Sequence, residues 1–474
     1  MRQKKGKDWF GFMTDRKLNQ MIQGYRDSYR LAFRENRNGL LRSRKACLWG
    51  NLAASTATQM IAGNFYTTLL LMLTSPLNSE DKTRAVALLS VVASVSAMFQ
   101  VLSPVLFEKL RRRMPLIFLL RGLFYAAQVI GYPLVIVSNL DPHGKVIWFA
   151  VLAAVSGISN ALASPALGAW HIHSLPLYCR FDFYTIFTAV GTVWNALLGF
   201  LLGLFMDYFT AHQIQLAGVM AMRGLSLFFI AWEYQQFSRI VEPDYFNGEK
   251  APRLKDILLV PLRTPAFRIV LLIYMSYCFF STFQGQYYSM YLLDEAGAGF
   301  RYAALNLVSI VGIPCSLLAL PVWNRWIHKY GWMKIMAISL ALYSGSFFLN
   351  VFVTSGTRYM YFVSHIYGQF VICGSTLGWS NFPHSHAPKR MLTASLALYN
   401  VLGSLASVLA AKGSEFFMLK TEDWTWHIFR LDLLNDAYIN TICGLGILFT
   451  AVLIALFSIK NSSPLPGSAD PQDK

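Results

Sequence analysis

The stretch GNFYTTLL, residues 63–70, has a counterpart in GQYYSMYL, residues 285–292, at an offset of 222 residues. Both begin with glycine, continue with an amide residue and then carry two aromatic residues. Two further pairs of stretches follow in the same order along the chain: residues 108–113 with 328–333, and Pro176 with Pro388. Three matches in one order indicate that the chain arose by duplication and consists of two similar halves.

The composition around these stretches is that of a membrane protein. Of 474 residues, 55% are hydrophobic and 14% are charged, and the mean hydropathy is +0.42. Soluble domains carry about 25% charged residues, so an ordinary soluble enzyme is excluded. Disorder is excluded because it requires low hydrophobicity. Residues 1–45 lack a short apolar core before a cleavage site, and we therefore expect the first apolar span to act as the insertion signal.

Twelve stretches are long enough to cross a hydrocarbon core ~30 Å thick, which takes roughly 20 apolar residues in a helix. Because lipid offers no hydrogen-bond partners, these spans should be helices rather than open sheet. The sequence therefore predicts an all-α polytopic membrane protein with twelve transmembrane helices. Spans 1 to 12 cover residues 46–73, 83–107, 115–138, 146–170, 183–207, 213–236, 267–292, 302–323, 332–354, 357–382, 391–411 and 437–459.

The duplication divides the twelve spans into two bundles of six. Since six is even, both bundles insert with the same topology, and a pseudo-two-fold axis along the membrane normal relates them. The predicted units are a basic N-terminal segment (1–45), a first bundle (46–236), a cytoplasmic linker (237–266), a second bundle (267–460) and a cytoplasmic tail (461–474).

The net charge of +17 follows this topology. Of the 41 Lys and Arg residues, 31 lie on the side of the two termini, eight lie on the other side, and Arg121 and Arg223 lie within spans. The positive-inside rule predicts a cell-membrane protein with both termini in the cytoplasm. No separate basic fold is available to bind nucleic acid. Residues 18–37 alternate apolar and basic positions at helical spacing, which predicts an amphipathic helix on the inner leaflet or, alternatively, a partly ordered tail.

Twelve helices in two parallel halves with a cytoplasmic middle loop resemble the major facilitator superfamily over about residues 46–460. That superfamily carries Gly-x-x-x-Asp-Arg-x-Gly-Arg-Arg between its second and third helices. Here Arg111 replaces the inner glycine, and the other positions are held by Pro104, Glu108, Lys109, Arg112 and Arg113. A second copy after span 8 falls on Asn324, His328, Lys329 and Gly331. The segment from Pro176 to Phe181 is similar to the Pro-x-x-x-Arg-Gly-Arg-Phe loop of many members.

The resemblance implies a transporter with a substrate site near the membrane midplane, between the halves. It also implies a gate at these loops. A carboxylate and a cation form charge-assisted bonds that can break and re-form between helix ends. The predicted gating residues are Glu108, Lys109, Arg112, Arg113 and Lys329. The alternative is a solvated basic loop that only fixes the topology.

Charged residues within spans are costly and usually functional. Arg223 lies about ten residues, roughly 15 Å, into span 6. It is predicted to bind an anionic group of the substrate or to pair with a carboxylate; the alternative is a structural arginine bonded to backbone carbonyls or to Ser226. Arg121 lies nearer the inner face, where its stem should reach water. Glu233 is expected to be solvated or paired.

Neutral amides and aromatic side chains suit a small polar or sugar-like solute, which needs hydrogen bonds and flat apolar faces. Some of them would instead join helices to one another. The predicted substrate-binding residues, besides Arg223, are Gln59, Asn64, Asn160, Asn195, Gln284, Gln286, Tyr287 and Gln369. His365 is the candidate for proton coupling because an imidazole titrates near neutral pH; the alternative is a histidine that is only hydrogen-bonded.

The predicted function is a secondary transporter, acting as a monomer, that moves a small solute by alternating access. Its expected partners are that solute, a coupling proton or cation, and membrane lipids; no cofactor and no metal site are expected. The chain contains no Gly-x-x-x-x-Gly-Lys-Ser/Thr phosphate loop, which argues against ATP-driven transport. The first alternative is a non-transporting sensor or assembly factor on the same scaffold. A membrane enzyme would need clustered carboxylates, histidines or a Ser/His pair, and the sequence offers no such group.

Overall fold

In a computed structural model of the protein, most of the described chain is helical. Among residues 23–34, the described ones are mostly helical. Outside that segment and Leu259, the structure describes residues 40–107, 110–173, 177–242, 261–294, 297–386, 392–421, 424–428, 431–433 and 435–460.

The helices of the first half extend a few residues beyond several of the predicted apolar spans. Two of them change character along their length: a 3₁₀ turn at Phe99–Val101 joins the two parts of α2, and a π-helical stretch at Ala126–Gly131 joins the two parts of α3. The helices are α1a (Leu41–Ile61), α1b (Asn64–Thr74), α2a (Ser79–Met98), α2b (Leu102–Phe107), α3a (Met114–Tyr125), α3b (Tyr132–Val137), α4 (Pro142–His173), α5 (Leu177–Ala211) and α6 (Gln215–Phe237).

The second half follows the same order, with a short 3₁₀ turn at Pro261–Arg263 before its first helix. A small antiparallel hairpin, β1 (Trp426–Ile428) and β2 (Leu431–Leu433), lies in the loop before the last helix, outside the predicted spans. The helices are α7a (Pro265–Phe283), α7b (Gly285–Leu293), α8 (Tyr302–Tyr330), α9 (Trp332–Asn350), α10 (Tyr359–His386), α11 (Leu392–Lys420) and α12 (Asn435–Lys460).

In the described part of the chain, nine helices are long and apolar enough to cross a membrane. They are α2 to α7, α9, α11 and α12. Helices α1, α8 and α10 complete the twelve and carry more polar residues; α8 is apolar only over Tyr302–Ser316. The chain is a multi-pass membrane protein with twelve helices. Some polar residues of each of these three helices line the central cavity described below.

The bundle has two ends, which we name by the chain termini. The terminus face is the end at which α1a begins and α12 finishes, and the far face is the opposite end. The halves pack against each other through α5 with α8, α2 with α11, and α1b with α7b. Helices α5 and α8 approach closely at Gly203, where an added Cβ would lie 2.8 Å from the Ala303 Cα atom. Small residues allow such close packing of helices in lipid.

Spans 1 and 7 both break at the glycine that opens the matched stretches. Gly63 separates α1a from α1b with φ +59°, and Gly285 follows α7a with φ +42°. Residues other than glycine rarely adopt a positive φ. The shared break is therefore the structural counterpart of the sequence match at an offset of 222.

Part of the predicted amphipathic segment packs on the terminus face. Phe33 is buried, and its ring lies 5.5 Å from the ring of Phe183 on α5. Arg44 on α1a donates a hydrogen bond of 2.7 Å to the carbonyl of Ala32. These contacts show that part of the segment packs against protein, in addition to the membrane surface expected from the sequence. Much of the segment lies outside the described residues.

Candidate functional site

A cavity of about 790 Å³ lies between the two halves, beside the break in span 1. Its walls come from α1 and α5 in the first half and from α7b, α8 and α10 in the second half. A solute in this cavity would therefore contact both halves at once. This is the place at which the sequence predicts the substrate site.

The wall from α5 is a stripe of small and polar residues. Thr188, Thr192, Asn195 and Gly199 follow one another at intervals of four, three and four residues and all line the cavity. Residues three and four apart lie on one face of a helix. The stripe therefore offers hydroxyl and amide groups along the length of the cavity, and Gly199 leaves no side chain at its far-face end.

Helix α1a holds this stripe in place through two hydrogen bonds to Asn195. The Ser55 hydroxyl donates to the Asn195 side-chain oxygen at 2.5 Å, and the Gln59 side-chain nitrogen donates to the Asn195 carbonyl at 3.1 Å. The Oε1 atom of Gln59 is buried and has no hydrogen-bond partner among the described residues. An unsatisfied buried acceptor costs about 1–3 kcal/mol. A solute that donates a hydrogen bond here would remove that cost.

The opposite wall comes from α8 and α10. Asn306, Ser309 and Ser316 line the cavity from one face of α8. On α10, the His365 and Gln369 side-chain nitrogens lie 3.2 Å apart, and the Ser316 hydroxyl donates to Gln369 Oε1 at 3.4 Å. Asn64 and Asn306 meet across the halves, with 3.5 Å between their side-chain nitrogen and oxygen atoms. The second wall, like the first, presents mainly amides and hydroxyls.

The cavity combines hydrogen-bonding groups with apolar surface, and its described lining residues carry no fixed charge. Its lining residues, so far as the structure describes them, include no Asp, Glu, Lys or Arg. A charged solute would leave water without a compensating charge in the protein, and that transfer is costly. The geometry therefore suits a neutral solute with several hydrogen-bonding groups.

Five of the residues predicted from the sequence line this cavity. They are the binding candidates Gln59, Asn64, Asn195 and Gln369 and the coupling candidate His365. They come from both halves, and the structure brings them around one space.

Three other binding candidates lie elsewhere. Asn160 accepts hydrogen bonds from Ser164 one turn along α4. Gln284 lies at the break in span 7, and its Oε1 atom is buried with no partner among the residues described. Tyr287 donates a hydrogen bond of 3.0 Å to the Thr83 carbonyl at the far face. The side chain of Gln286, a fourth candidate, lies outside the described residues.

Arg223 also lies outside the cavity, and its predicted contact with substrate has no support from its position. It is 1% exposed and donates to the carbonyls of Gln128, in the π-helical stretch, and Ile61, the latter at 3.4 Å. Its guanidinium lies 6.0 Å from the ring of Tyr132. Ile61 ends α1a, and Pro133, five residues after Gln128, has no N–H to donate, so both carbonyls lack the usual helical partner. Arg223 satisfies such carbonyls, which corresponds to the structural alternative stated for it above.

The cavity contains polar residues that the sequence interpretation missed. Their signal was present as polar stripes at helical spacing on spans 5 and 8. Isolated Ser and Thr residues are easily overlooked in an apolar span because their hydroxyls can bond to their own helix. On these two spans the missed residues are Thr188, Thr192, Asn306, Ser309 and Ser316; Thr58, Ser289 and Tyr361 were missed on other spans.

At the far face, an ion pair and a hydrogen bond join α2 to α7b. The Lys82 ammonium lies 3.3 Å from the Asp294 carboxylate, and both side chains are about one third exposed. The Tyr287 bond to Thr83 lies beside this pair. These contacts cross from the first half to the second and hold the far ends of the two helices together.

A second set of far-face contacts centres on the start of α8. The Asp207 carboxylate, from the end of α5, accepts hydrogen bonds from the backbone N–H groups of Tyr302 at 2.7 Å and Ala303 at 2.9 Å. A carboxylate at a helix N-terminus satisfies free N–H groups and favours the helix dipole. The Tyr302 hydroxyl also lies 2.7 Å from that of Thr68 on α1b. The far face is therefore closed by contacts between the halves.

The predicted gating residues lie at the terminus face. Glu108 and Lys109 lie outside the described residues. Arg112 and Lys329 are exposed, and the Lys329 ammonium lies 5.0 Å from the ring of its neighbour Tyr330. The backbone N–H group of Arg113 donates to the Glu242 carboxylate, as does that of Met114. Gating by this loop remains a prediction.

Arg121 does not reach water, contrary to the expectation for its long stem. It is 7% exposed and forms an ion pair with Glu233 on α6, which is fully buried. Tyr125 donates a hydrogen bond to the same carboxylate. Buried charges need such pairing because desolvation is otherwise too costly. The pair joins α3a to α6 within the first half.

Comparisons with known proteins identify relatives by structure alone. No family model matches the sequence, and no curated protein matches it. A bacterial homologue of the iron transporter ferroportin in an inward-facing state is similar with a TM-score of 0.66 at 12% identity, over 90% of this chain and 100% of that one. The nucleoside transporter NupG is similar with a TM-score of 0.60 at 11% identity, over 89% and 98%.

A D-xylose–proton symporter is similar with a TM-score of 0.62 at 12% identity, over 88% of this chain and 97% of that one. Each of these three matches covers at least 88% of this chain. The chain has the twelve-helix fold of the major facilitator superfamily transporters.

Proposed function

We propose that this protein is a secondary transporter that moves a neutral, hydrogen-bonding solute across the cell membrane by alternating access. The observation that carries the proposal is the central cavity, which both halves line with amides and hydroxyls and which the described residues leave without fixed charge. In alternating access the halves rock about a central site. A site shared by two halves is opened to one side or the other by such a motion.

The structure corresponds to one end point of this cycle. The far face is closed by the Lys82–Asp294 pair and by the Asp207 bonds to the start of α8. The positive-inside charge distribution supports a cytoplasmic location for the terminus face. We therefore assign the structure to an inward-facing state, with both termini cytoplasmic, and expect the far-face contacts to break when the transporter turns outward.

The chemistry of the cavity narrows the solute class. Sugars and nucleosides are neutral and carry several hydroxyls, and the cavity offers at least five amide side chains: Gln59, Asn64, Asn195, Asn306 and Gln369. Solved transporters with this fold include a nucleoside transporter and a xylose–proton symporter. We therefore propose a polyhydroxylated neutral solute. His365 is the residue in the cavity that we propose for proton coupling.

Exchange of labelled solutes into proteoliposomes tests the proposal, with pentoses, hexoses, nucleosides and charged counterparts as the panel. We expect a neutral polyol to exchange and to raise the melting temperature in detergent, since binding stabilises the folded state. Gln59→Met and Gln369→Met should each raise about tenfold the solute concentration that is needed for the same shift in melting temperature. Asn160→Ala, which changes an amide outside the cavity, is the matched control.

Two outcomes would contradict the proposal. If no solute exchanges or binds across the panel, the chain acts as a sensor or assembly factor on this scaffold. If only anions or cations bind, the inferred solute class is wrong. An exchange rate that stays flat between pH 5 and 8, with no response to a proton gradient, would remove the role proposed for His365.

A further inference from the structure

A groove of about 670 Å³ lies between α1a and α6 at the terminus face, away from the central cavity. Three cations, Arg42, Lys45 and Arg239, and two tryptophans, Trp49 and Trp232, form most of its lining. The three cations are exposed. The transport mechanism proposed above uses none of these residues.

The groove has two levels, set by helix geometry. Trp49 follows Arg42 by seven residues on α1a, and Arg239 follows Trp232 by seven residues at the end of α6. Seven residues of helix span about 10.5 Å. Because α1a runs away from the terminus face and α6 runs toward it, both helices place their cations at the surface and their tryptophans about 10 Å deeper.

The deeper level is apolar and continues toward the membrane interior. The rings of Trp49 and Trp232 stack with centroids 6.1 Å apart and an angle of 20° between their planes. Phe228 and Leu225 lie four and seven residues before Trp232 on the same face of α6, and they are 64% and 52% exposed. This stripe forms a surface suited to an acyl chain, and tryptophans are enriched where a membrane meets water.

The surface level carries positive charge that the groove does not neutralise. The described residues that line the groove include no Asp or Glu. The nearest acids in sequence have other partners: Glu233 is fully buried and paired with Arg121, and Glu242 accepts hydrogen bonds from the backbone N–H groups of Arg113 and Met114. Three cations with no acid among the described lining residues, above an apolar stripe, are complementary to a molecule with an anionic head and a hydrocarbon tail.

We propose that this groove binds an anionic glycerophospholipid, with the phosphate headgroup between Arg42, Lys45 and Arg239 and the acyl chains along Trp232, Phe228 and Leu225. Basic pockets between transmembrane helices bind anionic headgroups in this manner. A free phosphate would use only the upper level and would gain nothing from the stacked tryptophans. The stripe below the cations therefore selects a lipid as the occupant.

Native mass spectrometry of the full-length protein tests the site, with phosphatidylglycerol and phosphatidylcholine offered together. We expect a preference for phosphatidylglycerol that falls about fivefold for each cation removed. The test variant is Arg42→Gln/Lys45→Gln/Arg239→Gln. The matched control is Arg263→Gln/Arg268→Gln/Lys334→Gln, which removes three exposed cations from the second half. Equal losses in the two variants would mean that only general surface charge attracts the lipid, and would overturn the proposal.

A second measurement reads the deeper level and does not depend on the charge variants. Brominated phosphatidylglycerol should quench wild-type tryptophan fluorescence more than brominated phosphatidylcholine does, and Trp49→Leu/Trp232→Leu should remove that difference. Equal quenching by the two lipids would show that protein, from this chain or another, covers the groove. Full competition by millimolar inorganic phosphate would assign the site to a free anion. Either result overturns the proposal.

Discussion

The two broken helices of this protein both contain a glycine at positive φ, and they differ in the side chains that support the break. At the break in span 1, Arg223 reaches from α6 to the carbonyl of Ile61 and also bonds to Gln128 in α3. At the break in span 7, the Oε1 atom of Gln284 is buried without a partner among the described residues. The position 222 residues after Arg223 is Leu445, whose side chain is 57% exposed.

This difference shows how a duplicated chain diverges. The backbone feature is kept by glycine, whereas the side chains that support it have changed in one half. The first break is fixed by a buried cation that links three helices. Among the described residues no buried cation supports the second break, where Cys443 of α12 bonds to the backbone of Gln284. We therefore infer that the wall of the cavity near α7 adjusts more readily than the wall near α1.

Among the variants that distinguish the two breaks, we expect the removal of Arg223 to cause the largest loss of stability. Arg223→Met should destabilise the protein by about 3 kcal/mol, because hydrogen bonds from a charged group contribute about 1.5–3 kcal/mol and two carbonyls lose their donor. The apparent melting temperature in detergent measures the effect. Arg84→Met is the control, since the pair of Arg84 with Glu80 is exposed and worth less than about 1 kcal/mol. Equal losses for the two variants would show that Arg223 does not brace the break.

The glycines give a more direct comparison of the two breaks. No atom lies within 4 Å of a Cβ added at Gly63 or Gly285, so alanine at either position meets only backbone strain. A residue with a side chain is strained by about 1–3 kcal/mol in such sparsely populated backbone regions, and Gly63, with φ +59° and ψ −133°, lies in one. Gly63→Ala should lose this full amount in unfolding free energy, whereas the unbraced span 7 should relax and Gly285→Ala should lose less.

The control for both alanine variants is Gly224→Ala, in a helical position of α6 with open space around it. Alanine there should be neutral or slightly stabilising, because it restricts the unfolded chain. A larger loss for Gly285→Ala than for Gly63→Ala would reverse the inferred order of rigidity.

The smallest expected effect on stability concerns the ion pair at the end of α7b. Lys82 and Asp294 are about one third exposed, and such a pair contributes less than about 1 kcal/mol. It nevertheless joins the two halves, so Lys82→Gln should shift the protein toward an open far face. Alkylation of Asn306→Cys by a reagent applied from that face should become several-fold faster.

Exchange of the two charges sharpens this test. Lys82→Asp combined with Asp294→Lys should restore the slow alkylation rate, while Arg84→Gln should leave it unchanged because the Arg84 pair lies within α2. A rate that stays constant in all of these variants would show that the pair does not hold the far face closed.

The fold and much of the cavity could be predicted from the sequence because they depend on local patterns. Apolar length predicts the spans, and the match between Gly63 and Gly285 marks the two breaks. Gln59, Asn64 and Asn195 line the cavity because polar residues deep in a span usually face protein rather than lipid.

The role of Arg223 could not be predicted in the same way. Its position along the chain gives its depth in the membrane, but not the direction in which the side chain points. That direction depends on the packing of α6 against α1a and α3. The Gln128 carbonyl is free because Tyr132 bonds to Ala127 in the π-helical stretch and Pro133 has no N–H to donate. The proline is visible in the sequence, but the side chain that meets the free carbonyl is not. Tyr287 shows the same limit, since its partner, the Thr83 carbonyl, belongs to the other half.

The buried arginine also has a consequence for how the protein is made. An arginine near the middle of an isolated transmembrane helix costs about 2.5–3.5 kcal/mol on insertion. Its acceptors, Ile61 and Gln128, precede Arg223 in the chain, and so does Arg121, the partner of Glu233. During synthesis, α6 therefore leaves the ribosome after the groups that its two buried charges require. The sixth helix can insert beside the groups that bond to its two charges, and it can complete the first half before the second half is translated.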